Sequence, residues 1–273
     1  MYPIVEKKVL SENVKQLKIK APLVAKKAQP GQFIILRIDE KGERIPLTIA
    51  DFDRKQGTIT IIFLEVGKTT KQLGTLEVGD SIENFVGPLG MPSEVKKYGT
   101  VVCVGGGVGI APLYPIVKAL KEAGNFVISI LGAKTQNLLL LEKEIHEFSN
   151  EFYIATDDGS KGHKGFVSDV LQKVIDNHKV DMVMAIGPII MMKVVSDLTR
   201  KYNIKTLVSL NPIMVDGTGM CGGCRVSVDG KTKFACVDGP EFDGHQVDYD
   251  NLMLRNRRFM HEEGEACRLA DAQ

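Results

Sequence analysis

Between Gly99 and Leu210 the chain repeats one pattern: a short, almost wholly apolar run, then a longer stretch whose apolar residues recur every three to four positions. The short runs read as strands buried on both faces, and the longer ones as helices with a single apolar stripe. The predicted strands are Thr100–Val104, Phe126–Leu131, Phe152–Ala155, Met182–Ile186 and Lys205–Leu210, and the predicted helices are Ile110–Ala123, Asn137–Phe148, Phe166–Asn177 and Ile189–Tyr202. Parallel strands need a crossover long enough to hold a helix, so this alternation predicts an α/β doubly wound parallel sheet. Such sheets bind ligands at the carboxyl ends of their strands.

The residues before it have a different texture. Runs at Ile4–Leu10, Val14–Lys20, Gln32–Ile38, Ile45–Phe52, Thr58–Val66 and Ser81–Val86 are separated by turn signals such as Pro30-Gly31, Gln56-Gly57 and Gly79-Asp80. This spacing predicts a small antiparallel β-barrel, with one helix at Lys68–Leu76. After Asn211 a Gly- and Cys-rich segment begins, and only Leu252–His261 reads as regular structure. The expected division is therefore 1–97, 98–212 and 213–273, compatible with a 273-residue chain at roughly 150 residues per domain.

A net charge of +1 gives no field for nucleic acid. The apolar, uncharged run Val101–Val117 is broken by three consecutive glycines and two prolines, which argues against a membrane span. The first residues, Met1-Tyr-Pro-Ile-Val-Glu-Lys-Lys, show no leader pattern, so the expectation is a cytoplasmic protein.

Two motifs carry chemistry. Gly105, Gly106, Gly107 and Gly109 follow the first α/β strand and open a helix, where missing side chains and free N–H groups suit a pyrophosphate. Cys221, Cys224 and Cys236 form C-x2-C-x11-C in a glycine-rich loop, while Cys103 lies in an apolar run and Cys267 in a polar tail. Plant-type [2Fe–2S] sites use C-x4-C-x2-C with a distant fourth cysteine, and counting back from Cys221 puts Asp216 in the first position. A zinc knuckle with Asp216 as fourth ligand fits the same donors.

The barrel, the run Gly105-Gly-Gly-Val-Gly-Ile-Ala-Pro112 and Gly187-Pro188 before a helix together resemble the ferredoxin–NADP reductase superfamily over essentially the whole chain. The resemblance is strongest to the branch holding the electron-transfer subunit of dihydroorotate dehydrogenase and the small subunit of the NADH-dependent reduced ferredoxin:NADP oxidoreductase. It implies FAD on the barrel. The family's Arg-x-(Tyr/Ile/Leu)-(Ser/Thr) motif corresponds to Ile45-Pro46-Leu47-Thr48, so its Arg is replaced, and strand alternation turns Arg44 to the other face. Pro46, Leu47 and Thr48 are expected near the isoalloxazine. Phe63, Leu64, Glu65, Gly67, Thr69 and Thr70 are expected around the pyrophosphate. At Asp157 and Asp158 two carboxylates stand where NADP-preferring relatives carry Ser and Arg, which favours NAD(H), although Lys161 or Lys164 could serve a 2′-phosphate. Gly187 and Pro188 are expected in the same nucleotide site. The branch's small subunit is similar in having Asp at the position of Asp216, with Cys221, Cys224 and Cys236 as the other cluster ligands.

The resemblance therefore implies an FAD- and [2Fe–2S]-containing NAD(H) oxidoreductase subunit with no required side-chain acid or base. It implies a heterodimer with a larger flavin/iron–sulfur subunit, and electron bifurcation in which ferredoxin and NADP(H) are reached through that partner. A dihydroorotate dehydrogenase electron-transfer subunit is the alternative, for which Cys is expected at 216. A zinc-stabilised binding module without redox activity is the second.

Overall fold

The computed structural model describes residues 1–271. Its first part contains β1 (Tyr2–Ser11), β2 (Val14–Lys20), α1 (Pro22–Lys27), β3 (Phe33–Arg37), β4 (Ile45–Asp53), β5 (Thr58–Leu64), α2 (Lys68–Thr75), β6 (Ser81–Ile82) and β7 (Asn84–Leu89). These strands form one antiparallel sheet in the order β6-β1-β2-β5-β4-β3-β7. Its two edges are consecutive in sequence, so the sheet curls until they meet at Glu83 and nearly closes, leaving little free edge. Seven strands replace the six expected, because the run Ser81–Val86 is interrupted at Glu83, whose N–H donates to the Ile38 carbonyl. The short helix α1 was not expected. Pro22 sits in its first turn, where a missing N–H costs nothing, and the helix holds by burying Val24 and Ala25.

The α/β part comprises β8 (Thr100–Gly106), α3 (Ile110–Glu122), β9 (Phe126–Ala133), α4 (Glu142–Glu147), β10 (Glu151–Thr156), β11 (His163–Lys164), α5 (Val167–Asn177), β12 (Met182–Ile186), α6 (Ile189–Arg200) and β13 (Lys205–Ser209). Helix α4 is shorter than the predicted Asn137–Phe148. Leu141 turns with φ 50°, and Leu139, Leu140 and Leu141 pack into the core, so an apolar run that mimics a helical stripe is a loop held by burial.

The last part holds three strands that its polar, glycine-rich sequence hid, β14 (Arg225–Val228), β15 (Lys231–Phe234) and β16 (Glu241–Asp243), and around the expected Leu252–His261 two helices, α7 (Tyr249–Asn256) and α8 (Met260–Asp271). Strands β14 and β15 form a hairpin across Asp229-Gly230, both at positive φ, as a two-residue hairpin turn requires. Strand β16 pairs antiparallel with β13, so the second sheet, ordered β11-β10-β9-β8-β12-β13-β16, is mixed and not wholly parallel. Its order reverses about β8, between β9 and β12, which is the switch point where such sheets place ligands. No helix among the described residues is long and apolar enough to cross a membrane.

A single core cluster joins Phe33 and Ile35 of the barrel, the α/β sheet, and Met214, Cys224, Val226, Ala235 and Cys236. The junction also holds Glu241, whose carboxyl hydrogen-bonds the Ser93 hydroxyl in the connection between barrel and sheet. Burial pushes Glu241 up from 4.5 to about 7. The unfolded chain then gives up this proton first. The stability of the neutral form is whole below about 4.5 and is lost as pH rises through about 7, by at most about 3 kcal/mol. Glu241→Gln should therefore raise the melting temperature relative to the native chain more at pH 8 than at pH 5. Equal shifts at both would show that Glu241 ionises freely in the fold.

Candidate cofactor and cluster sites

Strand β4 is positioned by its register with β3, where Phe33, Ile34 and Ile35 stand opposite Thr48, Leu47 and Pro46. Ile34 fills the barrel interior, and Leu47 packs against that same core. Phe33 and Ile35 belong instead to the core shared with the α/β sheet. Cross-strand partners share a face, so Pro46 and Thr48 face outward while Leu47 offers a ligand only its main chain. Phe63 is likewise buried in the barrel core. Leu64 packs against the α/β helices' core, and Glu65 pairs with Lys15 at 3.2 Å.

Gly67 opens α2. The Thr70 hydroxyl accepts from the Val66 and Gly67 N–H groups at 3.1 and 3.0 Å and caps the helix, while the Thr69 hydroxyl donates to Glu43 Oε2 at 2.8 Å. Both hydroxyls are thus engaged. The Glu43 carboxylate thus stands beside the first turn of α2, where free N–H groups and the helix dipole favour negative charge.

At the switch point the loops after β8 and β12 touch. A Cβ on Gly109 would lie 2.7 Å from Gly187 Cα, so only glycine allows this approach, and Gly107, at φ 54°, has open space on its free side. Gly105 packs against Ile110 and Leu113 of α3, and Gly106 against Pro188 and Met191. Between the loops and α5 lies a cavity of about 570 Å³ whose walls include Gly106, Gly107, Lys134, Asp157, Phe166, Pro188 and Met191. Asp157 faces this cavity and Asp158 does not. The Asp158 carboxylate accepts from the Ser160 hydroxyl and N–H at 2.7 and 2.9 Å, bonds that hold it below the usual carboxylate range. Lys161 is paired with Glu142 at 2.7 Å, away from the cavity walls. Lys134, Phe166 and Ile190 were not singled out from sequence. An aromatic residue at the first position of the predicted helix was the one available signal, and Phe166 is 65% exposed there. A hollow of about 640 Å³ at the outer sheet edge, lined by Tyr153, His163 and Lys173, is remote from both glycine loops.

In the cysteine loop, Cys224 and Cys236 are buried with sulfurs 3.2 Å apart. Cys221 is exposed and accepts from the Gly223 N–H at 3.4 Å. The Asp216 carboxylate accepts from the Thr218 and Cys221 N–H groups, both at 2.7 Å, and these bonds hold it below the usual range. Two of the four expected donors are therefore brought together, and among the described residues no three stand within reach of one metal ion. The donor set fits an iron–sulfur cluster: Asp216, Cys221 and Cys224 share a loop that Gly217, Gly219 and Gly222, all at positive φ, keep curled around its own amides, and the β14–β15 hairpin brings Cys236 back beside Cys224. Gly217 lies against Ile35 and Leu89 of the barrel, and Ile35 is the cross-strand partner of Pro46. The cysteine loop thus sits beside the outward face of β4.

Comparison with known proteins matches each part. Residues 1–93 match the oxidoreductase FAD-binding domain, 103–197 the oxidoreductase NAD-binding domain, and 211–248 the iron–sulfur cluster binding domain of dihydroorotate dehydrogenase B. A dihydroorotate dehydrogenase B electron-transfer subunit homolog from Thermotoga maritima is 51% identical over 260 residues, covering 95% of this chain and 92% of that one. The electron-transfer subunit from Bacillus caldolyticus is 34% identical, covering 89% and 96%. A chain of the solved NADH-dependent reduced ferredoxin-NADP oxidoreductase, described in terms of flavin-based electron bifurcation, superposes with a TM-score of 0.96 at 47% identity, covering 100% and 98%.

The fold and sites define a flavin-dependent oxidoreductase of ferredoxin–NADP reductase type, carrying FAD, NAD(H) and a [2Fe–2S] cluster. Within that class, the chain belongs to the family of dihydroorotate dehydrogenase B electron-transfer subunits and their homologues. The iron–sulfur match sets the zinc-module alternative aside.

Proposed function

We propose that this chain is the smaller subunit of a heterodimer in which electrons pass between NAD(H) and a larger flavin/iron–sulfur partner, as part of an electron-bifurcating NADH-dependent ferredoxin:NADP oxidoreductase. Ferredoxin and NADP(H) would be reached through the partner. The reading takes 1–97 as the flavin unit, 98–212 as the nucleotide unit and 213–273 as the cluster unit. Pro46, the Leu47 main chain and Thr48 would lie against the flavin ring. Gly67, Thr69, Thr70 and the main chain of Phe63 to Glu65 would surround its pyrophosphate. Gly105, Gly106, Gly107, Gly109, Gly187 and Pro188 would line the dinucleotide path, with Asp157 at the ribose. Asp216, Cys221, Cys224 and Cys236 would hold the cluster. Bound there, these groups supply hydride acceptance and the division of an electron pair into single electrons, which side chains cannot do.

The observation that carries this reading is adjacency: the loop that would hold the cluster packs on Ile35, opposite Pro46 on the strand that would hold the flavin. Asp216, where a dihydroorotate-type subunit is expected to have Cys, favours the bifurcating reading. Purification of the tagged chain with its native partner tests it. Coupled reduction of ferredoxin and NAD+ by NADPH is expected, whereas a complex that oxidises dihydroorotate would contradict it.

The role of α2 is separately testable. Thr69→Ala with Thr70→Ala removes a cap and two hydroxyls worth about 1 kcal/mol each. The double variant is expected to lose FAD on desalting while keeping its cluster absorbance. Full FAD retention would assign the pyrophosphate to other groups.

A further inference from the structure

Helix α7 is fastened at both ends. Its Asp248 cap accepts from the Asn251 N–H at 2.9 Å, and the buried Tyr249 hydroxyl shares a 2.8 Å hydrogen bond with Ser196 of α6, the helix that follows Gly187-Pro188. Its last turn closes on the cluster segment: Arg255 Nη2 donates to the Gly223 carbonyl and Asn256 Nδ2 to the Asn211 carbonyl, each at 3.2 Å. Gly223 lies between Cys221 and Cys224. The Arg255 Nε is buried and has no hydrogen-bond partner.

This is an unusual setting for a guanidinium. It is always charged and has five donors to satisfy, so a buried N–H without an acceptor is costly. Burial, then the repelling charges of Arg258 and Arg225, pull its proton affinity down; the attractive neighbour is Cys224. Among the described residues, no carboxylate stands with the charges acting on it. What the surroundings lack is negative charge on the cysteine side. Thiolates holding a cluster would supply it there, and each electron taken up by the cluster adds more.

We propose that Arg255 is a positioning residue for the iron–sulfur cluster, its guanidinium fixing the Cys221–Cys224 loop through the Gly223 carbonyl and setting a fixed positive charge beside Cys224 that favours the reduced cluster. The proposal rests on the cluster assignment above. Lysine cannot replace it fully, because it keeps the charge but lacks the planar fork that places a donor on the Gly223 carbonyl.

The test uses the full chain purified anaerobically with its cofactors, comparing Arg255→Gln, Arg255→Lys and Asn256→Ala by iron and sulfide content, EPR and redox titration. Arg255→Gln is expected to keep its iron and sulfide, to titrate at a lower potential and to shift its EPR signal. Asn256→Ala removes a clamp without removing charge and is expected to titrate like the native chain. A cluster-loaded Arg255→Gln with native potential and EPR would overturn the proposal, as would an equal shift in Asn256→Ala. Should Arg255→Gln fail to assemble a cluster, Arg255→Lys decides: a potential nearer the native value supports the charge, and a loaded variant shifted far below it overturns it. A native chain without iron–sulfur absorbance would instead overturn the cluster assignment itself.

Discussion

Cys224→Ala or Cys236→Ala is expected to abolish the [2Fe–2S] absorbance and EPR signal, taking iron and sulfide content to near zero while FAD stays bound. The two buried sulfurs stand 3.2 Å apart, and no spare thiol can take their place. Cys103 is buried in the α/β core, where burial pushes its thiol up to about 12, and Cys267 lies on α8. Cys221→Ala should have the same outcome. The barrel's own core is separate from the cysteine segment, which is why flavin should survive the loss. Asp216→Ala should leave a labile cluster and Asp216→Cys a stable one with shifted potential, since both native and replacement ligands are monoanions of different hardness. Iron and sulfide per chain, with EPR of the reduced protein, check all five variants. A normal, stable cluster in Asp216→Ala would place the fourth ligand elsewhere.

The second large effect concerns the nucleotide. NADH should reduce the bound flavin more efficiently than NADPH, because a 2′-phosphate entering the cavity would meet the Asp157 carboxylate at close range. Asp157→Arg exchanges that repulsion for a bidentate phosphate partner and should narrow the preference by on the order of tenfold to a hundredfold. Asp158→Asn should change it little, since that carboxylate is committed to Ser160. Stopped-flow reduction across NADH and NADPH concentrations reads both. A native preference for NADPH, or a larger effect at Asp158 than at Asp157, would contradict the assignment.

The strands and helices of the α/β part were legible because each buries an apolar face with its own period, and Met182–Ile186 is found as expected to the residue. The glycine loop and the cysteine spacing were legible because their chemistry is local. What sequence hid depends on contacts distant in the chain. Strand β16 has the sequence Glu-Phe-Asp and exists because β13 offers a free edge. Asp157 and Asp158 are neighbours in sequence, and only the turn that engages Asp158 with Ser160 separates their roles. Phe63 and Glu65 sit in a matching segment, yet one side chain is core and the other is paired with Lys15. The link between Arg255 and Gly223 spans 32 positions and has no local signature.

The central claim is that electrons from NADH reach the iron–sulfur cluster through the flavin within this chain. Anaerobic addition of less than one equivalent of NADH, with a visible spectrum before freezing and an EPR spectrum after, tests it directly. Bleaching of the flavin band together with the signal of a reduced [2Fe–2S] cluster is expected. Bleached flavin with no cluster signal, in protein carrying full iron and sulfide, would contradict it.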